Sequence, residues 1–352
     1  MRPLLSVSSP AMSACFMAIA ACRARGDDVH PMHVRNIGFY QTWQRCAAQR
    51  EDGAAQLSAA DVLARLHLRF AENDDLVRNI LLRHSPRNFS RDAIECDAMF
   101  TTAALMFWQR PNMVIELTPA LERLLTSSDL GEDIPAAQLR PRMAACYIRF
   151  GEAMRQAVVL PVETGVHRIQ GAYVFASTYN GKRAISIVAI YAADRDEPLG
   201  ISSLDFVIED EQESLLSVIR SQCGGTVESD SLLAQQTALA QLCTKVFLYW
   251  GIEQARHVSL TPHGDALRRL QGMGPRKAAK LLRQTERLYD RVVLGPDTLP
   301  AHLRSASGEM SPHWRRGHFR MQAHGPRLSL RKVMFISPTI VRADRLTSDE
   351  LP

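Results

Sequence analysis

The sequence predicts an α+β fold with a helix-led N-terminal half, a central antiparallel sheet and a basic C-terminal β-hairpin. Three observations predict it. Apolar residues recur at helical spacing early in the chain, β-rich runs flank Asn180-Gly181 in the middle, and positive charge collects at the end. With 352 residues, 46% of them hydrophobic, the chain can bury one large or two ordinary cores. The organisation expected is a disordered leader or misassigned start over 1–31, a mixed helical domain over 32–165, an α+β domain carrying a basic motif over 166–345, and a tail over 346–352.

The leader contains "AMSACFMAIAAC" behind Arg2, and Ile19-Ala20-Ala21-Cys22 resembles a bacterial lipoprotein cleavage box. The stretch is too short to span a bilayer. Pro10, the serines and a single charge weaken it as an export signal, which favours a start at Met32 and a cytoplasmic protein with no membrane partner. Cysteines at 15, 22, 46, 96, 146, 223 and 243 show no Cys-x-x-Cys spacing and read as free thiols in a reducing compartment.

Leu57 to Ala71 reads as an amphipathic helix, with Ser58 as N-cap and Val62, Leu63, Leu66 and Phe70 on one face. A second helix is predicted around Asp74 to Arg83. "PNMVIEL" (111–117) reads as a strand, Pro119 to Leu125 as a helix and "SSDLGEDIP" (127–135) as a loop. Two strands, Ala172 to Thr178 and Ala184 to Ala192, are joined through Asn180-Gly181, the favoured pair for a two-residue hairpin turn. Ser203 to Ile208 forms a third strand. The carboxylates that follow, in "EDEQESLLSVIRS" (209–221), read as a dipole-favoured first helical turn rather than a metal cluster. Ser231 to Trp250 is an apolar helix offering Leu232, Leu239, Leu242, Val246 and Phe247 to the core.

Charge is segregated, because Arg256 to Arg342 holds 17 Lys/Arg against 5 Asp/Glu, a net +12 that leaves −7 elsewhere. Such asymmetry suits nucleic acid or another acidic partner. Within it, "LRRLQGMGPRKAAKLLRQTERL" (267–288) has the outline of a helix-hairpin-helix turn at Gly272-Met273-Gly274-Pro275, in which backbone amides would hold a phosphate. A solvated basic helix after a turn has the same outline. "YDRVVLGP" (289–296) reads as a strand.

Met310 to Pro338 sets His313, His318 and His324, together with Arg315, Arg316, Arg320, Arg327, Arg331 and Lys332, around Trp314, Phe319 and Phe335, with no acidic residue. Pro312 and Gly317 argue against a helix, and Gly325-Pro326 divides the segment into strands at His313 to Gln322 and Leu328 to Ser337. Alternation puts Trp314, Arg316, His318 and Arg320 on one face, and His313, Arg315 and Phe319 on the other. Guanidinium beside indole can pair with phosphates while a base stacks on the ring, a pattern of single-stranded RNA binding. Equally, Trp314 can anchor in a core while the arginines pair with the acidic first half. A third possibility is a metal-free ribonuclease using His313, His318 and His324 as acid and base. Metal nuclease chemistry does not fit, since Asp297 and Glu309 are the only carboxylates between Pro296 and Val341. With no nucleophile elbow, P-loop or dinucleotide fingerprint, neither cofactor nor metal is expected.

"SPHWRRGHFRMQAHGP" followed by "LSLRKVMFISP" resembles the C-terminal signature of the second type V-A anti-CRISPR family, carried by phages and plasmids. "YDRVVLGP" and "EDIPAAQLRPRMAACYI" are also similar, so the resemblance extends loosely over 32–341 and is sharp over His313 to Pro338. It implies a cytoplasmic protein that recognises the nascent N-terminal peptide of the type V-A effector nuclease and causes loss of the translating mRNA. His313, Trp314, Arg315, Arg316, Gly317, His318, Arg320, Gln322, Gly325 and Pro326 match the signature, while Phe319 stands where Trp is more usual. On this reading Trp314, Arg315, Arg316, Arg320, Arg327, Arg331 and Lys332 contact RNA, and Gly317, Phe319, Gln322, Gly325 and Pro326 shape the motif. The rivals are the metal-free ribonuclease and a DNA-binding accessory protein of a mobile element.

Overall fold

Asn180 and Gly181 adopt φ of 49° and 77°, the left-handed pair that a two-residue hairpin turn requires, and the register around them organises the sheet. The computed structural model describes residues 30–48, 59–84, 91–162, 165–193, 200–223, 230–253, 255–298, 313–337 and 339–341. Residues 1–29 of the expected 1–31 leader, the N-cap candidate Ser58 and the 346–352 tail lie outside the described residues, whereas His30 and Pro31 of that leader are buried and open the first helix.

Helices lead, as expected: α1 (Pro31–Asn36), α2 (Phe39–Ala48), α3 (Ala59–Arg65), α4 (Phe70–His84) and α5 (Arg91–Gln109). Strand β1 (Asn112–Leu117) follows, then α6 (Pro119–Thr126), β2 (Ser128–Leu130), β3 (Ala145–Arg149), α7 (Glu152–Ala157) and β4 (Val159–Val162). The hairpin strands are β5 (Gly165–Tyr179) and β6 (Lys182–Ala193), with β7 (Gly200–Val207) beyond them. The chain continues through α8 (Leu215–Cys223), α9 (Asp230–Gly251), β8 (His257–Leu260), α10 (Pro262–Leu270), α11 (Pro275–Thr285) and β9 (Arg291–Leu294). It closes with β10 (His313–Arg315), β11 (Gly317–His324), β12 (Leu330–Ile336) and β13 (Thr339–Val341).

The main sheet runs β7-β6-β5-β3-β1-β9-β8, with β4 paired to β5. It is antiparallel except at β3/β1 and β1/β9, so the fold is α+β with an antiparallel-rich sheet. Both faces are covered, which is why β6 is apolar from Ala184 to Ala193 except at Ser186. Tyr147, Tyr173 and Val188 point to a core built with Phe39, Trp43, Phe70 and Phe107 of α2, α4 and α5. Their neighbours Cys146, Val174 and Ile187 point the other way, onto Leu121, Ile219, Val246 and Phe247 of α6, α8 and α9. Of the core candidates, Leu239, Leu242, Val246 and Phe247 are buried, and the side chain of Leu232 lies outside the described residues.

One sheet and both cores draw on residues from either side of 165/166, at the start of β5, which pairs with β3. Three expectations need correction. The single helix over Leu57 to Ala71 breaks after Arg65. The Arg110 guanidinium enters the gap and donates to the carbonyls of Leu66 (2.6 Å) and Leu68 (2.7 Å), while Asn73 Nδ2 donates to those of Leu68 (3.2 Å) and Arg69 (3.0 Å). Carbonyls that helix continuation would use are thus satisfied by tertiary donors. The acids at 209–213 do not open a helix, because α8 starts at Leu215 with no acid in its first turn. Glu209 and Glu211 pair instead with Lys182 and Arg183 of the hairpin. Finally, the expected loop at 127–135 contains β2, a strand that exists because β11 lies parallel to it.

Candidate functional site

The C-terminal segment forms the expected hairpin, but not from one continuous strand. At Arg316 the chain changes partners: β10 pairs with β13, whereas β11 pairs with β12 on one side and with β2 on the other. The single strand expected from His313 to Gln322 is therefore divided at Arg316, while Arg316 and Arg320 are exposed and Phe319 buried, as the alternation has them. The side chains of His313, Trp314 and Arg315 lie outside the described residues. The tip needs its glycine, since Gly325 sits at φ 74° and a Cβ there would press on Leu330 at 2.9 Å. Arg327 and Leu328 continue the left-handed path at φ 53° and 56°.

Phe319 anchors the motif. Its side chain is fully buried, its ring centroid is 4.8 Å from that of Phe335, and Phe335 in turn meets Tyr249 of α9 edge-on at 6.0 Å. Gly317 is also buried, and Met321 N donates to Asp133 Oδ2 at 3.0 Å. Beneath this, Lys245 of α9 is 6% exposed, and its Nζ donates to the carbonyls of Leu125 and Ser128, both at 2.7 Å. It closes the C-terminal end of α6 and holds β2 under the motif strand. Burial lowers its pKa to about 8. The sequence analysis missed this residue, although a lone lysine inside "QLCTKVFLYW" was the available signal.

The charged candidates line the hairpin's exposed parts. Arg316 faces Asp129 at 3.6 Å, both well exposed, Lys332 Nζ faces Glu253 at 3.1 Å, and Arg320 donates to Gln322 at 2.8 Å. Such exposed pairs contribute little to stability. Arg327 and Arg331 are exposed. Arg331, Lys332, His324 and Phe335 share a cavity of about 280 Å³ with Gln138 and Glu253 at the end of α9. His318 and His324 are six residues apart along β11, roughly 20 Å at strand rise, so those two imidazoles do not flank one phosphodiester. The 272–275 turn lacks the glycine requirement of a helix-hairpin-helix: a Cβ at Gly272 or Gly274 would meet nothing, and neither residue has positive φ.

A second concave region lies on the other side of the sheet. The Glu116 carboxylate at the end of β1 accepts from the Tyr289 hydroxyl and pairs with Arg149 (3.3 Å) and Arg291 (2.9 Å). His30 packs over Tyr289 (4.4 Å) and edge-on to Tyr147 (5.2 Å), while its Nδ1 accepts from Met32 N at 3.1 Å. Burial, followed by the nearby Arg149 charge, lowers the His30 pKa to about 3, so this imidazole is neutral. Next to the cluster is a cavity of about 370 Å³ with Met32, Phe107, Trp108 and Met113 in its wall and Arg35 and Asp290 among its polar groups. Nothing in the sequence analysis singled it out. Glu116, a lone acid ending the apolar run "MVIE", was the visible trace.

The model of the AcrVA2-like family, described as "Anti-CRISPR type V subtype A2 family", matches residues 115–343, from β1 through the end of the hairpin. The chain belongs to this AcrVA2-like anti-CRISPR family. The match spans the Lys245 support, the motif strands and Glu116, and so covers most of the main sheet as well as the C-terminal motif. A solved structure titled "Crystal structure of AcrVA2" is similar over 90% of this chain and 100% of that chain, at 12% identity and a TM-score of 0.46. No curated protein matches the sequence. Among the described residues of this AcrVA2-like chain, no helix is long and apolar enough to cross a membrane.

Proposed function

We propose that this chain acts in the cytoplasm as an inhibitor of type V-A CRISPR immunity, recognising the nascent N-terminal peptide of the effector nuclease and lowering the mRNA that encodes it. The observation that carries this reading is the family match over residues 115–343. The cavity of about 370 Å³ beside Glu116 supports it: methionines at 32 and 113 adapt to varied side chains, and Arg35 and Asp290 offer both signs of charge to peptide backbone or termini. On the opposite side of the sheet, Arg316, Arg320, Arg327, Arg331 and Lys332 supply cations for the RNA contact, with degradation left to host nucleases.

The test places the first codons of a type V-A effector in front of a reporter and measures transcript level with and without this chain. Synonymous recoding of the leader should preserve transcript loss, whereas changing its amino acids should abolish it. Transcript loss that follows nucleotide sequence instead of peptide sequence would overturn the proposal.

A further inference from the structure

The strongest unassigned charge lies outside the C-terminal motif, on the helical hairpin α10–α11 that connects β8 to β9 at the edge of the sheet. Residues 262–287 contain seven Lys/Arg against two Asp/Glu. Arg276, Lys280 and Arg283 follow i, i+4, i+7 spacing on one face of α11 and form a stripe roughly 10 Å long, which Arg287 extends from the turn just past Thr285. All four are exposed, and none makes an ion pair or side-chain hydrogen bond among the described residues, in contrast to Arg316 and Lys332 of the motif.

The hairpin is held rigidly at its base. Arg35 Nη2 donates to the carbonyls of Thr285 (3.2 Å) and Leu288 (2.7 Å), Asn36 to that of Glu286, and Asp290 Oδ1 accepts from the amides of His263 (2.9 Å) and Gly264 (3.1 Å). Its tip, Gly272-Met273-Gly274, is exposed. A fixed stripe of uncompensated cations on a short projecting support suits a polyanion with regularly spaced charges. Apart from His263, which lines the cavity beside Glu116, the hairpin carries no aromatic residue on which an unpaired base could stack, which points to a base-paired backbone read through its phosphates alone.

We infer that α10–α11 is a docking surface for base-paired RNA, engaged through the phosphates by Arg276, Lys280, Arg283 and Arg287. This rests on the proposed RNA contact and moves its main anchor from the C-terminal motif to the helical stripe. Gly272 and Gly274 take no part, because the contact is made by side chains and not by turn amides.

The test is binding of the full chain to a 24-base-pair RNA duplex across a salt series, about 50–300 mM, where affinity falls with the number of phosphates neutralised. Changing Arg276, Lys280, Arg283 and Arg287 together to Gln should weaken binding at least about 30-fold and reduce the log–log salt slope by about 3. The corresponding change of Arg316, Arg320, Arg327 and Arg331 should cost less than about 3-fold. Circular dichroism should be the same for all three proteins, since every substituted residue is solvent-facing. A motif variant that loses binding while the stripe variant keeps it overturns the inference. Equal affinity for duplex DNA overturns the assignment to RNA. Stronger binding to phosphatidylglycerol vesicles than to RNA, drawn by the exposed Leu267 and Leu282, overturns it as well. A wild-type chain that lowers effector transcript in cells yet binds no duplex sinks the surface and leaves the proposed function standing. Duplex binding without transcript loss does the reverse.

Discussion

Phe319 and Phe335 face each other across the C-terminal hairpin with ring centroids 4.8 Å apart, and it is this contact that fastens the family signature to the core. Phe319→Ala should remove about 3–5 kcal/mol of stability, a typical cost for emptying a buried aromatic site. Thermal or urea unfolding measures it. A shift below about 1 kcal/mol would mean that the hairpin is not seated on α9 as described.

Lys245→Met keeps the apolar stem but leaves the carbonyls of Leu125 and Ser128 without a donor. A loss of roughly 1–3 kcal/mol is expected from such orphaned acceptors. Because Ser128 begins β2, hydrogen exchange should speed up along β11 in this variant more than along β6.

Arg110 is 8% exposed and reaches three carbonyls, of Leu66, Leu68 and Ala176, with no carboxylate partner among the described residues. Arg110→Lys keeps the charge but cannot span the fork, so it should cost about 2–4 kcal/mol in urea unfolding. An unchanged midpoint would show that the α3–α4 break does not depend on this guanidinium.

The helices around Asp74 to Arg83, Pro119 to Leu125 and Ser231 to Trp250, the Asn180-Gly181 hairpin and the strand ahead of Pro119 were legible because each is a local pattern of spacing and turn chemistry, whereas α1, α2 and α5 were not read. What escaped was decided by distant residues. The break after Arg65 depends on Arg110, and β2 depends on Gly317 to Phe319, neither of which leaves a mark on the sequence it shapes. The single strand expected from His313 to Gln322 is divided for the same reason, since β10 and β11 answer to different partners. The basic motif was visible as composition, and alternation set Phe319 apart from Arg316 and Arg320, but which face turns inward is decided by Tyr249 of α9 and by β2. The concave region at Glu116 joins His30, strands β1 and β3, and Tyr289, so only the assembled sheet reveals it.

His30 provides a pH-dependent prediction. Its folded pKa of about 3 lies below the ordinary 6.5, so the unfolded chain binds the proton first as pH falls. Its contribution is complete above pH 6.5 and is lost on the way down through pH 3. Between pH 7 and pH 4 the loss should be roughly 3 kcal/mol at 1.36 kcal/mol per unit. In His30→Phe the stability difference between those two pH values should shrink by a comparable amount. An equal acid sensitivity in variant and wild type would show that other groups govern it.

His318→Gln and His324→Gln should each fold like the wild type, and the purified wild-type chain should cleave no RNA. Both expectations follow from the separation of the two imidazoles along β11. Metal-independent cleavage lost in either variant while binding persists would make the motif an active site.

The pairing of β1 with β9 joins residues 115–117 to 292–294, and β2 must await residues 317–319. During synthesis, therefore, the β1 edge stays open until most of the chain has left the ribosome, and the strand that closes it arrives with the basic hairpin just ahead of it. Contacts so distant in sequence form slowly and leave a half-sheet exposed meanwhile. A product terminated near residue 255 would display that bare edge, so premature stops in this gene should yield aggregates instead of a smaller working protein.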